Sequence, residues 1–571
     1  MKVPAAIAEI LKREGVDILF GYPRNAVLEA AAEADIRTVI VRGLLDHGVD
    51  TVFALPGAQT YGLMDAFKLA EPQLRTIGAR HEQGVGYMAF GYAKASGRPG
   101  VCSVVPGPGL LNASAALLTA WGASTPVLCL AGQINTSFLG KERLALHEMR
   151  DQLAVMRQVS KWADRIEHPA LAPGMVAEAF RQMRSGRPGP AGLEMPWEVF
   201  TQRARVRPVA PLEPIPDPEP DPDLIGEAAR LLRAAKTPMV FVGGGALHAS
   251  QAITTLCEDL QAPAVPWRSG RGIVDERHPL GFTCASGAKV WPQCDVAVII
   301  GTRFELLDMR WRWRPPGLKL IRIDIDPAEM RRLPVDVGIV ADAETGARAL
   351  LAAISRGGPA IGDRPTRLAE AKAATAREIQ AIRPQLGFLQ TIRDVLPEDG
   401  IFVDEISQMG FASWYGFPAY APRTTISAGS QGTLGSGFPT ALGAKAAFPD
   451  RAVVSVTGDG GFMFAATELA TAVQYGLNTV TLVFNNNAYG NVRRDQIEGF
   501  EGRVIASDLV NPDFVKFAES FGVMGLRART LHELRRALER ALAADAPVLI
   551  EVPVETGSEA SPWQFLTPKF P

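Results

Sequence analysis

The stretch AVVSVTGDGGFMFAATELATAVQYGLNTVTLVFNNNAYG, residues 452–490, contains two apolar bursts that each end in polar residues. The first burst leads into Gly-Asp-Gly at 458–460, and the second leads into three asparagines at 485–487. Short apolar runs rich in β-branched residues are typical of parallel strands that are buried on both faces. The Ala-rich segment between the bursts has helical character, so the stretch predicts a strand–helix–strand unit of a parallel sheet.

Bursts of the same kind recur along the chain, and longer segments rich in Ala and Leu separate them. Examples are TVFAL (51–55), VCSVV (101–105), PVLCLAG (126–132), MVFVGGG (239–245), VAVIIG (296–301), LIRIDID (320–326) and VLIEVPV (548–554). This alternation of buried strands and helices predicts an α/β fold class with doubly wound parallel sheets.

Two breaks divide the 571 residues into three predicted domains. The proline-rich segment 206–223 cannot form a helix or a central strand, and we expect it to be an extended linker. A second, softer break lies at 355–367. The predicted domains are therefore 38–205, 224–354 and 368–571, each of a size that one parallel sheet commonly occupies.

Residues 1–37 form a predicted N-terminal extension. Within it, LKREGVDILFGYP (11–23) resembles LLDHGVDTVFALP (44–56). The extension can be a partial repeat of a βα unit, or the two βα starts can be alike by chance, since the period occurs only once. Only the second copy leads to an acid, Glu82, so acid chemistry is expected from that copy alone.

The composition excludes several classes of protein. The net charge is −2, with no basic stripe or long block of like charge, so no nucleic-acid partner is expected. No run of about 18 apolar residues is present, so no membrane span is expected. The N-terminus lacks the apolar core of a signal peptide, and the five cysteines show no CxxC pairing. These features predict a cytoplasmic protein with buried thiols.

Asp459 and Asn486 are predicted to lie at the same sheet edge, because ligands of such folds bind beyond the carboxyl ends of the strands. A carboxylate and an amide oxygen suit Mg²⁺, which takes further oxygens from phosphate and water. Gly458, Gly460 and Gly461 would let backbone N–H groups approach a phosphate at the start of a helix. The arrangement predicts a metal-bridged diphosphate site, with an ordinary polar connection as the alternative.

Gly-Asp-Gly followed one βαβ unit later by Asn-Asn resembles the signature of thiamine-diphosphate-dependent enzymes. The likeness runs from about residue 40 to the end and is greatest for the acetolactate synthase-like group, with pyruvate decarboxylase, benzoylformate decarboxylase, benzaldehyde lyase and 2-hydroxyacyl-CoA lyase. It implies pyrimidine-binding, central nucleotide-binding-like and diphosphate-binding domains. It also implies thiamine diphosphate and Mg²⁺ as cofactors, with Asp459, Asn486 and the backbone carbonyl of Ala488 holding the metal.

ARHEQGVGYMAFGYAKASGRPG (79–100) resembles the family segment that carries a catalytic glutamate. By that resemblance, Glu82 is catalytic and shares a proton with N1′ of the cofactor's aminopyrimidine, which promotes removal of the C2 proton. Without the family, Glu82 is an acid at a helix start, where the helix dipole favours it. PGPGLLN (106–112) resembles the loop that follows the glutamate segment.

SAGSQGTLGSGFPTALGAKAAF (427–448) resembles the family's glycine-rich stretch, in which Leu434 would hold the cofactor bent; a core leucine in a glycine-rich turn is the alternative. The resemblance assigns further cofactor contacts to Pro56, Asn112, Gln431, Gly458, Gly460, Gly461, Tyr489 and Gly490. It also implies a homodimer or homotetramer whose active site lies at the subunit interface.

The central domain and the substrate pocket leave alternatives open. VGGGA (242–246) and IDIDP (323–327) are consistent with a site for FAD, for an ADP-like nucleotide, or with an empty domain. Arg310 or Arg312 could replace an arginine that acetolactate synthases use for a second oxo acid. Gln59, His81, His147 and Glu148 are pocket candidates or packed polar residues. The segment 559–570, with Trp563 and Phe565, is predicted to be a lid or a disordered tail.

The predicted function is thiamine-diphosphate- and Mg²⁺-dependent decarboxylation or carboligation of small 2-oxo acids. The alternatives within the family are a 2-oxo acid decarboxylase and a 2-hydroxyacyl-CoA lyase. The absence of adjacent histidines counts against the pyruvate decarboxylase branch. A non-catalytic cofactor-binding homologue, with residues 1–37 lying in the cleft, is the alternative from another class.

Overall fold

The computed structural model of the chain describes residues 37–202, 204–354 and 363–570. The first domain has strands β1 (Thr51–Ala54), β2 (Arg75–Gly78), β3 (Gly100–Val104), β4 (Val127–Gln133), β5 (Trp162–Arg165) and β6 (Ala191–Pro196). Its helices are α1 (Arg37–Asp46), α2 (Tyr61–Leu69), α3 (Glu82–Ser96), α4 (Pro108–Gly122), α5 (Gln152–Val159) and α6 (Ala172–Arg184). The strands form one parallel sheet in the order β2-β1-β3-β4-β6-β5.

The central domain holds a second parallel sheet. Its strands are β7 (Met239–Val242), β8 (Ala264–Pro266), β9 (Val296–Ile300), β10 (Lys319–Asp324) and β11 (Val337–Val340), in the order β11-β10-β9-β7-β8. Its helices are α7 (Pro222–Ala234), α8 (Ser250–Leu260), α9 (Cys284–Val290), α10 (Glu329–Arg332) and α11 (Ala343–Ile354), and a π-helical segment spans Leu306–Trp311.

The C-terminal domain holds the third sheet. Its strands are β12 (Ile401–Val403), β13 (Thr425–Ile426), β14 (Val453–Gly458), β15 (Val480–Asn485), β16 (Met524–Arg527) and β17 (Val548–Pro553). Its helices are α12 (Arg364–Glu378), α13 (Gln385–Val395), α14 (Gln408–Gly416), α15 (Gly437–Ala447), α16 (Asp459–Met463), α17 (Leu469–Tyr475), α18 (Gly490–Gly499), α19 (Phe514–Ser520), α20 (Leu531–Leu542) and α21 (Trp563–Leu566). The strand order β13-β12-β14-β15-β17-β16 repeats the order of the first sheet position by position.

The predicted fold class, three parallel-sheet α/β domains, is confirmed. The domain bounds stay predictions, although helix α7 begins at Pro222, inside the predicted linker, and helix α12 begins at Arg364, ahead of residue 368. Of the predicted N-terminal extension, only Arg37 falls within the described residues. Among the helices of the described ranges, none combines the length and apolarity that a membrane crossing needs.

Helices α3 and α15 join the first and third domains at their backbones. A Cβ on Gly91 would overlap the carbonyl oxygen of Thr440, and a Cβ on Gly443 would overlap the carbonyl oxygen of Met88. Both helices contribute to one buried apolar cluster that includes Phe90. Glycine at these crossings therefore sets the distance between the domain that carries Glu82 and the domain that carries Asp459.

Candidate active site

The Gly-Asp-Gly turn lies where strand β14 becomes helix α16, as predicted. Asp459 begins the helix and is only 1% exposed. A Cβ on Gly460 would overlap the ring of Tyr489, and a Cβ on Gly461 would lie 2.6 Å from the Glu405 carboxylate. The backbone of this turn is therefore packed so closely that only glycine fits at both positions.

Asn486 and Ala488 lie beside Asp459, because strands β14 and β15 are neighbours and Gly458 pairs with Phe484. The Asn486 side chain is 7% exposed, and its Oδ1 accepts a hydrogen bond from the Ala488 N–H at 3.1 Å. The same N–H also lies against the Asp459 carboxylate, whose pKa is raised mainly by burial. The three residues predicted as metal ligands thus form one cluster.

This cluster fits a small, hard cation. It offers a carboxylate, an amide oxygen and a backbone carbonyl, which are oxygen donors of the kind Mg²⁺ prefers. Among the described residues, no group of three or more His, Cys, Asp or Glu side chains forms an all-side-chain metal site. A cation here would therefore need further oxygens from phosphate and water, as a diphosphate-bridging Mg²⁺ does.

Asn511 belongs to this cluster but was not predicted. Its amide nitrogen donates to Asp459 Oδ2 at 2.6 Å and to Asn485 Oδ1 at 3.0 Å. It lies beyond helix α18, and its position in the sequence gives no signal of this contact. Asn511 orients the carboxylate that the sequence predicts as a metal ligand.

Glu82 is the first residue of helix α3 and is half-buried. Its Oε2 accepts a hydrogen bond from the Asn112 amide at 3.0 Å, so two residues predicted to contact the cofactor meet. His81 caps the helix, and its Nδ1 accepts from the Gln83 N–H at 3.1 Å. His81 therefore has a structural role here.

Glu468 anchors the turn before Glu82 and was not predicted. Its Oε1 accepts from the backbone N–H groups of Arg80 at 3.1 Å and His81 at 3.0 Å. Burial raises the pKa of this carboxyl group. Since Glu468 lies on the C-terminal domain, the position of Glu82 depends on contacts between two domains.

Leu434 lies next to the Glu82 turn within the same chain. The Gln83 amide donates to the Leu434 carbonyl at 3.3 Å, and the Thr119 hydroxyl donates to the Gln431 carbonyl at 2.8 Å. Gly435 has a φ of 81°, a left-handed conformation that favours glycine. The predicted wedge residue is therefore presented by a sharp turn at the start of helix α15.

Glu405 connects the Leu434 turn with the Gly-Asp-Gly turn, and it too was not predicted. Its carboxyl group accepts from the Gly435 N–H and from the Thr457 hydroxyl. It is buried, and burial raises its pKa to about 7. A single buried carboxyl group thus holds two turns that the sequence assigns to the cofactor.

The remaining pocket candidates pair with each other. The Gln59 amide nitrogen donates to the Leu146 carbonyl at 2.9 Å, and Gln59 Oε1 lies 3.1 Å from His147 Nδ1. Glu148 accepts from the Ala145 N–H at 2.8 Å and so stabilises its own loop. Pro56 is exposed at the end of strand β1, and Gln431 is exposed at the start of the Leu434 turn.

A cavity of about 500 Å³ lies where the central domain meets the other two. Its wall includes the loop Gly243–Gly245, Lys94, Arg268 and Asp324. Burial lowers the pKa of Lys94 to about 8 and raises the pKa of Asp324 to about 6. Both segments that the sequence associated with a nucleotide, 242–246 and 323–327, thus face one cavity.

The C-terminal segment packs against two domains. The Arg310 guanidinium lies 5.0 Å from the Trp563 ring, and the Trp313 and Phe570 rings stack at 5.5 Å. Phe565 contacts Tyr415 at 5.3 Å. Arg312 donates to the Met309 carbonyl at 3.2 Å, a contact within its own turn. Arg310 is therefore a contact of the C-terminal segment, and the lid function of that segment stays a prediction.

Three family models match the chain. They are described as the N-terminal TPP binding domain, the central domain and the C-terminal TPP binding domain of thiamine pyrophosphate enzymes, and they match residues 34–155, 225–350 and 405–552. The predicted recognition, fold class and enzyme class are thereby confirmed, and the predicted function class fits.

Curated relatives cover nearly the whole chain. One is described as a probable 2-ketoarginine decarboxylase of Pseudomonas aeruginosa, 34% identical over 90% of this chain and 93% of the relative. A probable acetolactate synthase large subunit of Methanocaldococcus jannaschii is 33% identical, with 92% of each chain covered. An acetolactate synthase isozyme 3 large subunit of Escherichia coli is 31% identical over 92% of this chain and 96% of the relative. This chain belongs to the family of thiamine pyrophosphate enzymes, and to its acetolactate synthase-like group.

Proposed function

We propose that the protein uses thiamine diphosphate and Mg²⁺ to decarboxylate a small 2-oxo acid. If it acts as an acetolactate synthase does, it then joins the fragment that remains after CO₂ loss to a second oxo acid. The observation that carries the proposal is the cluster of Asp459, Asn486 and Ala488 beside a turn in which glycine alone fits. In this proposal Asp459, the Asn486 amide and the Ala488 carbonyl hold the metal, and Gly460 and Gly461 face the diphosphate.

Glu82 and Asn112 lie in the first domain and supply the acid group of the proposed site. When bound, thiamine diphosphate would supply a nucleophilic carbon and a cationic thiazolium ring that can take up the electron pair left when CO₂ departs. Glu82 holds a proton toward the aminopyrimidine nitrogen, and the 3.0 Å bond from Asn112 fixes the direction of its carboxyl group. Leu434 would hold the cofactor in a bent conformation, as the family resemblance implies.

The product distinguishes carboligation from simple decarboxylation. Purified protein with thiamine diphosphate and Mg²⁺ is incubated with pyruvate, and the products are separated by chromatography. Acetolactate identifies a carboligase, and acetaldehyde identifies a decarboxylase. Likeness to the 2-ketoarginine decarboxylase supports a second assay with 2-ketoarginine as substrate. No CO₂ from either acid, and no cofactor-dependent turnover of a 2-hydroxyacyl-CoA, would favour the non-catalytic alternative.

We further propose a homodimer or homotetramer in which Glu82 of one subunit faces Asp459 of another. Three large apolar side chains are exposed in the single chain. Leu111, which precedes Asn112, is 48% exposed, and Met463 and Phe464, at the end of the helix that Asp459 begins, are 42% and 56% exposed. A second copy that covers them would remove this apolar surface from water. Within one chain, however, the Glu82 turn also adjoins Leu434, so the alternative of a site within one subunit needs a direct test.

Subunit complementation provides that test. Glu82→Gln and Asp459→Ala proteins, each inactive alone, are unfolded, mixed and refolded together. If the site lies between subunits, a mixed dimer contains one intact site, and up to about a quarter of the wild-type activity returns. If each subunit holds its own site, no mixed species contains an intact one, and activity stays absent.

We propose that the cavity at the central domain binds FAD or an ADP-like nucleotide. The glycine loop Gly243–Gly245 lets a backbone approach a diphosphate, and Lys94 and Arg268 supply positive charge. A flavin absorption spectrum of the purified protein would identify FAD, and calorimetry with ADP would test the nucleotide. We also propose a cytoplasmic location, supported by five buried cysteines that form no disulfide.

A further inference from the structure

The last part of the chain, residues 555–570, holds the predicted metal ligand Asn486 at two points. The Thr556 hydroxyl donates to the Asn486 backbone carbonyl at 2.6 Å. The Asn486 side-chain nitrogen Nδ2 donates to Glu559 Oε2 at 2.6 Å. The main chain and the side chain of Asn486 are therefore both fixed by residues that follow strand β17, the last strand of the sheet.

The bond to Glu559 determines which way the Asn486 amide faces. The amide nitrogen donates to Glu559 Oε2, so the amide oxygen points away from Glu559. The oxygen then lies on the side of Ala488, whose N–H it accepts at 3.1 Å, and it keeps a second lone pair for a cation. Asp459 lies on this same side.

Other contacts hold Glu559 in place independently of Asn486. The backbone of its neighbour Ala560 is bonded at both ends: its N–H donates to the Arg383 carbonyl at 3.1 Å, and its carbonyl accepts from the Gln385 amide at 2.7 Å. Trp563 donates its indole N–H to Asn491 at 2.9 Å. The residues that directly follow Glu559 are thus anchored by contacts that do not involve Asn486.

We propose that Glu559 is a positioning residue for the metal site, which fixes the Asn486 amide with its oxygen toward the cation. The proposal rests on the proposed Mg²⁺ site. Because partners of metal ligands fix ligand orientation, their loss typically lowers metal affinity by about 10- to 100-fold. The C-terminal segment therefore completes the geometry of the cation site, whether or not it also closes over the substrate.

Three variants of Glu559 distinguish the position of its acceptor oxygen from its negative charge. Glu559→Gln keeps an oxygen acceptor at the same distance but removes the charge, Glu559→Asp keeps the charge but withdraws the acceptor by one methylene, and Glu559→Ala removes both. Glu555→Ala, an exposed acid of the same segment, is the matched control. The dissociation constant of Mn²⁺ is measured by electron paramagnetic resonance at fixed thiamine diphosphate, and thermal melting without metal reports folding.

The positioning role predicts that Glu559→Asp and Glu559→Ala weaken Mn²⁺ binding by about 10- to 100-fold, while Glu559→Gln stays within about threefold of the wild type. Retained affinity in Glu559→Asp together with lost affinity in Glu559→Gln would mean that charge, not orientation, acts on the cation, and would overturn the proposal. Equal affinity in all variants would overturn it as well. If Glu559→Ala does not fold, the Asp and Gln pair still decides. Wild-type protein that binds no Mn²⁺ would refute the proposed metal site itself, which is a distinguishable result.

Discussion

Replacing the buried Lys94 by methionine should stabilise the protein when no nucleotide is bound. Lys94 lines the central cavity, where a Cβ on Gly244 would lie 4.0 Å from its Nζ. Burial, and to a smaller extent the charge of Arg423, lowers its pKa from 10.5 to about 8. At about 1.4 kcal/mol per pH unit, this difference means that the protonated amine costs up to about 3 kcal/mol at pH 7.

The sign of the pH dependence follows from the lowered pKa. Between about pH 8 and 10.5 the unfolded chain binds the proton more tightly than the folded one, so wild-type stability rises with pH in this window. Lys94→Met removes the cost, so its advantage is full below about pH 8 and disappears above 10.5. Urea denaturation followed by circular dichroism at pH 7 and at pH 10 measures both values.

For nucleotide binding, unlike stability, Lys94→Met should be unfavourable. If an anionic diphosphate compensates the buried ammonium, Lys94→Met should weaken ADP binding by about 10- to 100-fold, the value of a charged hydrogen bond. Lys68→Met, at an exposed lysine, should change neither property. A Lys94→Met protein that is less stable than the wild type at pH 7 without ligand would refute the reasoning about burial, and unchanged ADP affinity would refute the role in the cavity.

Three further predictions concern the active site and its support. Glu82→Gln should abolish exchange of the cofactor C2 proton, measured by nuclear magnetic resonance, while thiamine diphosphate binding stays within about threefold; persistent exchange would contradict the assigned role. Burial raises the pKa of the folded Glu405 carboxyl group to about 7, so its contribution to wild-type stability is full below about pH 4.5 and is lost as the pH rises through about 7. Glu405→Gln cannot ionise and should therefore lack this fall in stability; a pH profile identical to that of the wild type would contradict the reasoning. Gly91→Ala should lower the free energy of unfolding by more than about 3 kcal/mol, since its methyl would overlap the Thr440 carbonyl, whereas Gly226→Ala has open space and should be neutral or slightly stabilising; equal melting temperatures would refute the overlap.

The sequence predicted those parts of the site that depend on strand ends. Asp459 and Asn486 were paired because consecutive parallel strands deliver their carboxyl ends to one edge, and the sheet order places them there. Glu82 was found only through its resemblance to a family segment. The fold class followed from the apolar bursts, because strands covered on both faces have little alternative to a parallel sheet.

The supporting residues could not be predicted in the same way. Asn511, Glu405 and Glu559 reach the site from segments far from the residues they contact, and polar residues in such segments are far more often solvated than functional. Their contacts depend on how loops fold back over the sheet edge, which local periodicity does not encode. The identical strand order of the first and third sheets also escaped detection, since it is carried by topology with no matching sequence pattern.

The backbone crossing of helices α3 and α15 has a consequence for engineering this enzyme. Because each helix meets the carbonyl oxygen of the other through glycine, no side chain separates the two backbones at Gly91 and Gly443. Substitutions that widen substrate scope should therefore be sought in the loops around the cleft, where Gln59 and His147 lie outside the helix crossing. Substitutions at the crossing itself would move the first and third domains relative to each other, and would therefore displace Glu82 from Asp459.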